Sequence, residues 1–374
     1  MRRAINYYFL FFAALLLTAG SFFLATLSAP ASIQAFGNTN HYIFHQLISI
    51  AIGLVAAVIL FTLPLNFLKK VSLPLLLLNL FFLAVVFVPI IGTKLFGAHR
   101  WISIGPISLQ PSEFLKLTAI IYLSAWLSAK FSENRQRGVM AFAQKTWSQF
   151  IKTYVPFICL LAVISALLFL QKDMSTLAII ILSLLAVYFT AGTPLWHTVL
   201  SLLGGISGAL LLVKIEPYRV QRFLVFLHPD TDPLGIGFQL RQSLLAIGSG
   251  GIFGKGLGMS TQKFGFLPQA MSDSVFAILG EELGIAGCVA CIITFLLFFW
   301  QGIKISHNAT DKFGKLVAIG VIVWLAVQTF MNIASSLGIW PLAGIPLPFF
   351  SYGGSHIIAE LMAIGLLLNI SKNA

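Results

Sequence analysis

Asp273 is the carboxylate best placed to do chemistry. It ends the polar stretch Leu267-Pro268-Gln269-Ala270-Met271-Ser272-Asp273, just where an apolar run begins. Partial desolvation there makes a carboxylate a stronger base, and a general base is one role open to it. Capping of the helix that follows, by Ser272 or Asp273, is the other. Glu113 and Lys116 come next, in Gln110-Pro111-Ser112-Glu113-Phe114-Leu115-Lys116. Pro111-Ser112 is a helix start, and a spacing of three puts both charges on one helix face, close enough to pair. Such a pair either neutralises itself or orients a carboxylate or sugar. In Gln171-Lys172-Asp173-Met174-Ser175-Thr176, Asp173 reads as the cap of the next helix.

Basic residues and glycines gather in one long segment, 214–272. Arg219 and Arg222 open it, and a bend rich in turn residues runs from Phe226 to Gly235. A short amphipathic helix follows, from Phe238 to Ile247, with Gln239 and Gln242 on one side. Gly248-Ser249-Gly250-Gly251 and Gly254-Lys255-Gly256-Leu257-Gly258 come next, then Lys263. Backbone N–H groups of such a run can approach an anion, but the spacing matches no nucleotide-binding loop and no βαβ unit surrounds it. A last irregular stretch, Pro341 to Ser355, includes Ser351 and is expected to line the same cavity as Asp273, since irregular backbone at membrane depth must face protein or a cavity.

The elements that hold these residues are membrane helices. Of 374 residues, 58% are hydrophobic and 9% charged, whereas soluble domains carry roughly 25% charged residues. Apolar runs of spanning length recur at 6–28, 46–63, 72–91, 113–129, 153–170, 174–191, 197–213, 273–300, 314–335 and 352–371. The fold class is therefore all-α and polytopic, a single membrane domain over 1–374, with 214–272 as its large loop between the seventh and eighth helices. The first apolar run is longer than the core of a signal peptide and is read as a retained helix.

The net charge of +12 is scattered singly between apolar runs, with no basic arm, which argues against nucleic acid. With the N-terminus inside, Arg2, Arg3, Lys69, Lys70, Lys130, Arg135, Arg137, Lys145, Lys152, Lys304, Lys312, Lys315 and Lys372 fall on the inner side, and both termini are cytoplasmic. Lys94 and Arg100, before the fourth helix, and Lys214, Arg219, Arg222, Arg241, Lys255 and Lys263, in 214–272, then stand outside. That segment runs against the usual bias, which suggests an anionic ligand on that face, the alternative being a loop long enough to escape the rule. Cys159, Cys288 and Cys291 lie in apolar runs and read as small buried hydrophobes.

Taken in order, these motifs resemble the SEDS family of FtsW and RodA membrane glycosyltransferases. The matching residues are Arg100-Trp101, Gln110-Pro111-Ser112-Glu113 with Lys116, Pro217-Tyr218-Arg219 with Arg222, Asp232-Pro233-Leu234-Gly235, Gln239, Gln242, Lys263, Asp273, Glu281-Glu282, and Pro346-Leu347-Pro348-Phe349 with Ser351-Tyr352-Gly353-Gly354-Ser355. The resemblance implies ten membrane helices and polymerisation of lipid II outside the bacterial cytoplasmic membrane. It also implies a class B penicillin-binding transpeptidase and divisome components as partners. Gln269-Ala270-Met271-Ser272 replaces the family's frequent Glu-Ala-His-Thr, and Ser175 its usual Gly, so no role passes to those positions. The Gly258 to Lys263 run lacks extra residues typical of RodA, which leans the reading toward the FtsW branch.

On this reading Asp273 is the base, and Glu113 and Lys116 tune it. Arg100, Arg219, Arg222 and Lys263 hold pyrophosphate, with Gln239, Gln242 and Ser351 as further substrate contacts. A divalent cation, Mg or Mn, on Asp273 is a competing role for that residue. The rival activities are a lipid-precursor flippase, an elongation polymerase of RodA type, and a scaffold that only activates the transpeptidase.

Overall fold

The computed structural model describes residues 5–88, 92–95, 98–104, 107–133, 150–215, 224–228, 232 and 235–373. Each of the ten expected spans coincides with a helix. They are α1 (Tyr7–Phe36), α2 (His41–Thr62), α3 (Leu65–Val85), α4 (Pro111–Glu133), α5 (Val155–Leu170), α6 (Met174–Thr190), α7 (Leu195–Ile215), α9 (Val275–Asn308), α10 (Lys312–Ser336) and α11 (Gly354–Lys372). The expected short helix in the large loop is α8 (Ile236–Gly250). Seven described helical stretches are long and apolar enough to cross a membrane. Exposed Phe11, Ile52, Leu77, Phe81 and Leu296 are the surface such a protein presents to lipid.

Short connections make neighbouring helices antiparallel, and this sorts the chain into two ends. At one end the Asn6 N–H donates to Ser371 Oγ (2.8 Å), Thr310 Oγ1 donates to the Asn373 carbonyl (2.9 Å), and Lys69 pairs with Asp311 (2.8 Å). That end gathers the first and last described residues, the α2–α3 and α9–α10 turns, and most of the described lysines. The opposite end holds the starts of α4, α6, α9 and α11, where the acidic motifs stand.

The core is centred on α10 and α11. Trp324, Leu325, Val321, Leu366 and Leu367 are fully buried there. α11 lies against α2 because Gly365 has no side chain: a Cβ would meet the Ala57 carbonyl oxygen at 2.2 Å. Asn369 then satisfies the end of α2, donating to the Leu60 and Leu63 carbonyls at 2.7 and 2.6 Å.

Two features depart from expectation. Residues 92–109 carry a small antiparallel sheet, β1 (Gly92–Leu95), β2 (Ala98–Ile104) and β3 (Ile107–Leu109), in that spatial order, where a plain loop was expected. Alternation in Trp101-Ile102-Ser103-Ile104 and Ile107-Ser108-Leu109, separated by Gly-Pro, is the signal that announces it. The described part of the large loop is also no free hairpin. It folds onto α9, which breaks at Gly284 (φ 68°, ψ −167°). There the Ile285 and Ala286 N–H groups donate to Gly251 and Ile252, while Lys255 and Gly256 N–H groups donate to the Glu281 and Glu282 carbonyls. A helix broken at membrane depth thus keeps its backbone groups paired.

Candidate functional site

The helix starts at the acidic end surround a cavity of about 500 Å³. Five of the expected residues line it: Asp273, Glu113, Lys116, Arg100 and Gln239. Asp273 sits one residue before the N-cap Ser274 of α9 and is half-buried. Its carboxylate accepts from Ser272 Oγ. Asn332 holds its backbone, donating to the Asp273 carbonyl (2.9 Å) and the Ile345 carbonyl (2.8 Å), and so joins the two irregular segments that flank the cavity.

Glu113 and Lys116 form the expected pair, 2.7 Å apart and almost wholly buried. Lys116 Nζ also donates to Gln328 Oε1 (2.9 Å) and lies 4.9 Å from the Trp324 ring centre. Gln328 is in turn fixed by Trp324 Nε1 (2.8 Å), the Pro346 carbonyl (3.1 Å) and the fully buried Glu360 (3.4 Å). Glu360 accepts from the Phe349 N–H (3.0 Å), at a residue held in the left-handed region (φ 65°). One network therefore ties the α4 ion pair to the loop that closes the cavity.

Arg100 reaches from β2 and donates to the Gln171 and Lys172 carbonyls at the α5–α6 turn. Asp173 is the cap of α6: it accepts from the Thr176 N–H (3.4 Å), and also from Ser112 and Gln110. Gln239 donates to Ser274 Oγ (3.2 Å). Arg219 and Arg222 lie outside the described residues.

Three expected contacts stand elsewhere. Ser351 is fully buried; it accepts from the Leu347 N–H and donates to the Ser272 carbonyl, which staples the loop and leaves it outside the cavity lining. Gln242 is half-buried on α8 and also outside that lining. Lys263 pairs with buried Glu282 (3.0 Å) and donates to the Gly258 carbonyl, so its charge is engaged within the protein. It borders a second recess of about 500 Å³, which shares Gln269, Ser272 and Tyr352 with the first.

The glycine-rich run does cradle an anion, but the anion belongs to the chain. Glu282 accepts N–H bonds from Gly258 (2.8 Å) and Ser260 (3.2 Å). Glu281 accepts them from Thr261 (3.2 Å) and Gln262 (3.4 Å), with Lys255 2.7 Å away. These contacts correct the expectation of a loop open to phosphate.

Sequence reasoning missed Gln328, Asn332 and His356, whereas Tyr352 falls in the irregular stretch expected to line the cavity and does line it. The first two are amides one turn apart in an apolar helix, a polar pair that lipid alone would not tolerate, and that is the signal. His356 lines the cavity, and its Nε2 is buried without a hydrogen-bond partner. Burial, then the neighbouring Tyr42, holds the Tyr352 phenol above its usual range.

A family model described as cell cycle protein, of the FtsW, RodA and SpoVE type, matches residues 7–374. The chain belongs to the FtsW/RodA/SpoVE family. It is 37% identical to stage V sporulation protein E of Bacillus subtilis over 96% of this chain and 94% of that one. It is also 37% identical to a Thioalkalivibrio protein named Probable peptidoglycan glycosyltransferase FtsW, over 100% of this chain and 91% of that one. Among solved structures it resembles a chain from a study of how a peptidoglycan synthase complex coordinates polymerization and crosslinking, with TM-score 0.78, 26% identity and 98% of each chain covered. Thermus thermophilus RodA shares the fold, with TM-score 0.70, 24% identity, and 98% of this chain and 97% of that one covered. Membership in this family and the helices above make the chain a polytopic membrane protein.

Proposed function

We propose that this chain is a peptidoglycan glycosyltransferase, one membrane domain over its whole length, that polymerises lipid II at the outer face of the bacterial cytoplasmic membrane. The observation that carries the reading is Asp273 on the wall of a polar cavity formed where helix starts, β2 and the irregular segments meet. The names of the FtsW relatives support it. A second recess sharing a wall with the first suits a reaction between two lipid-linked substrates. The lysine-rich opposite end is the cytoplasmic one on this reading, with both termini there. Similarity to FtsW and SpoVE proteins supports a division-type role, with divisome proteins around it. Likeness to a chain of a peptidoglycan synthase complex supports a class B penicillin-binding transpeptidase as partner.

Asp273 takes the proton from the acceptor sugar hydroxyl. The hydroxyl oxygen bonds to the donor's anomeric carbon as the bond from that carbon to the polyprenyl pyrophosphate breaks. Arg100, with Arg219 and Arg222 from the large loop, holds the departing pyrophosphate; a guanidinium has five N–H donors, so Arg100 can keep its carbonyl contacts and still bind an oxyanion. The Glu113–Lys116 pair, neutral as a unit, positions Gln328 and through it the Pro346 carbonyl of the loop on the cavity wall. No three His, Cys, Asp or Glu side chains converge on a metal site among the described residues. Mg²⁺ needs no such cage: it commonly takes one or two carboxylates and substrate phosphates, so Asp273 suits it as one ligand, and the cation would neutralise pyrophosphate charge.

The test is purified protein with lipid II in proteoliposomes, with and without the transpeptidase and EDTA. Glycan polymer is the expected product. Translocation of lipid II with no polymer under every condition would install the flippase reading instead.

A further inference from the structure

A recess of about 600 Å³ at the lysine-rich end lies between α3, α4 and the start of α10. Its mouth carries Lys69, Lys70 and Lys312 against one carboxylate, Asp311. Asp311 is 2.8 Å from Lys69, and the Lys69 ammonium sits 5.2 Å from the Phe313 ring centre, so that corner is fixed in place. Tyr122 and Trp126, four residues apart on one face of α4, line the wall. Lys130 stacks its ammonium 5.0 Å from the Trp126 ring centre, adding positive potential beside the mouth.

From this mouth an apolar track leads toward the membrane middle. Leu73 belongs to the recess, and Leu77 and Phe81 continue its row at four-residue spacing along α3. They are 46%, 56% and 61% exposed. Cations at the mouth, aromatic rings beside them and an open apolar row below follow the order of parts in a phospholipid: phosphate, glycerol backbone, acyl chain. A soluble anion would use only the first part, and an acidic peptide would leave the apolar row uncovered.

We infer that this recess is a binding site for one anionic phospholipid, its phosphate held by Lys70 and Lys312 with Lys69, and one acyl chain laid along Leu73, Leu77 and Phe81. Excess cationic charge among the lining residues selects against zwitterionic headgroups, and basic pockets between membrane helices are a known way to hold anionic ones. The site is on the far side of the bundle from Asp273 and does not depend on the glycosyl transfer reading.

Native mass spectrometry of the full chain in mixed micelles tests it, counting dioleoylphosphatidylglycerol against dioleoylphosphatidylcholine. The expected result is one retained phosphatidylglycerol in clear preference to phosphatidylcholine. Each lysine near the surface contributes about fivefold, so Lys70→Ala with Lys312→Ala lowers that binding about thirtyfold. Lys70→Arg with Lys312→Arg keeps it, which separates lost charge from lost folding. Lys304→Ala with Lys372→Ala removes equal charge from the same end outside the recess and leaves binding unchanged. Equal loss in both alanine pairs, or no headgroup preference in the unaltered chain, overturns the site. Displacement of the lipid by millimolar inorganic phosphate would show a phosphate-ion site and overturn the lipid assignment.

Discussion

At the scale of single residues the site is a set of commitments already made inside the protein, with a few groups left facing the cavity. Lys116 gives two of its three N–H donors to Glu113 and Gln328, and its face to Trp324. Burial makes the pair costly to break: removing one partner strands a charge, typically at 3–5 kcal/mol. Lys116→Met is therefore expected to lower thermal stability in detergent sharply. Adding Glu113→Leu should recover most of that loss while polymer formation stays lost. Recovery of both stability and activity in the double variant would reduce the pair to a structural role. His356 had no signature in its residue type; only the docking of the first turn of α11 brings it to the cavity wall.

Elements decide where these residues point, and the break in α9 is the clearest case. Glu281 and Glu282 stand in an apolar run, where a charge must find a partner; the structure pairs them with the glycine-rich loop in front of the same helix. Gly284 makes the fold-back possible. Its positive φ with extended ψ is a conformation essentially confined to glycine, and an added Cβ would lie 2.4 Å from the Gly254 nitrogen. Gly284→Ala should cost at least about 1–3 kcal/mol, read as a lowered melting temperature. Replacing Glu281 and Glu282 together by Gln should speed protease cleavage within 251–264, because both carboxylates hold that loop's N–H groups. Unchanged cleavage would show that the loop is held by other means.

Across the whole molecule, most of the architecture was legible in hydropathy. Ten apolar runs correspond to ten helices because lipid leaves a chain few other ways to satisfy its backbone. Helix ends were less legible: α1 runs on past Pro30 to a left-handed cap at Gly37, and α3 begins seven residues early, at Leu65. Asp273, Glu113, Lys116, Arg100 and Gln239 line one cavity, although only Asp273 and the Glu113 motif stand at helix entries, Arg100 coming from β2 and Gln239 from α8. Lys263 and Ser351 do not, since residue type cannot reveal that a neighbour in space has already engaged the group. Family membership explains why so dispersed a motif set meets at one end of the bundle.

The account stands on proton transfer at Asp273. Asp273→Asn keeps the side chain's size and removes its basicity. Assayed on purified lipid II with the transpeptidase present, this variant should keep the melting temperature of the unaltered chain and lose polymer formation by at least about 10²-fold, the low end of what a positioned base contributes. Polymerisation at an undiminished rate by a normally folded Asn variant would contradict it.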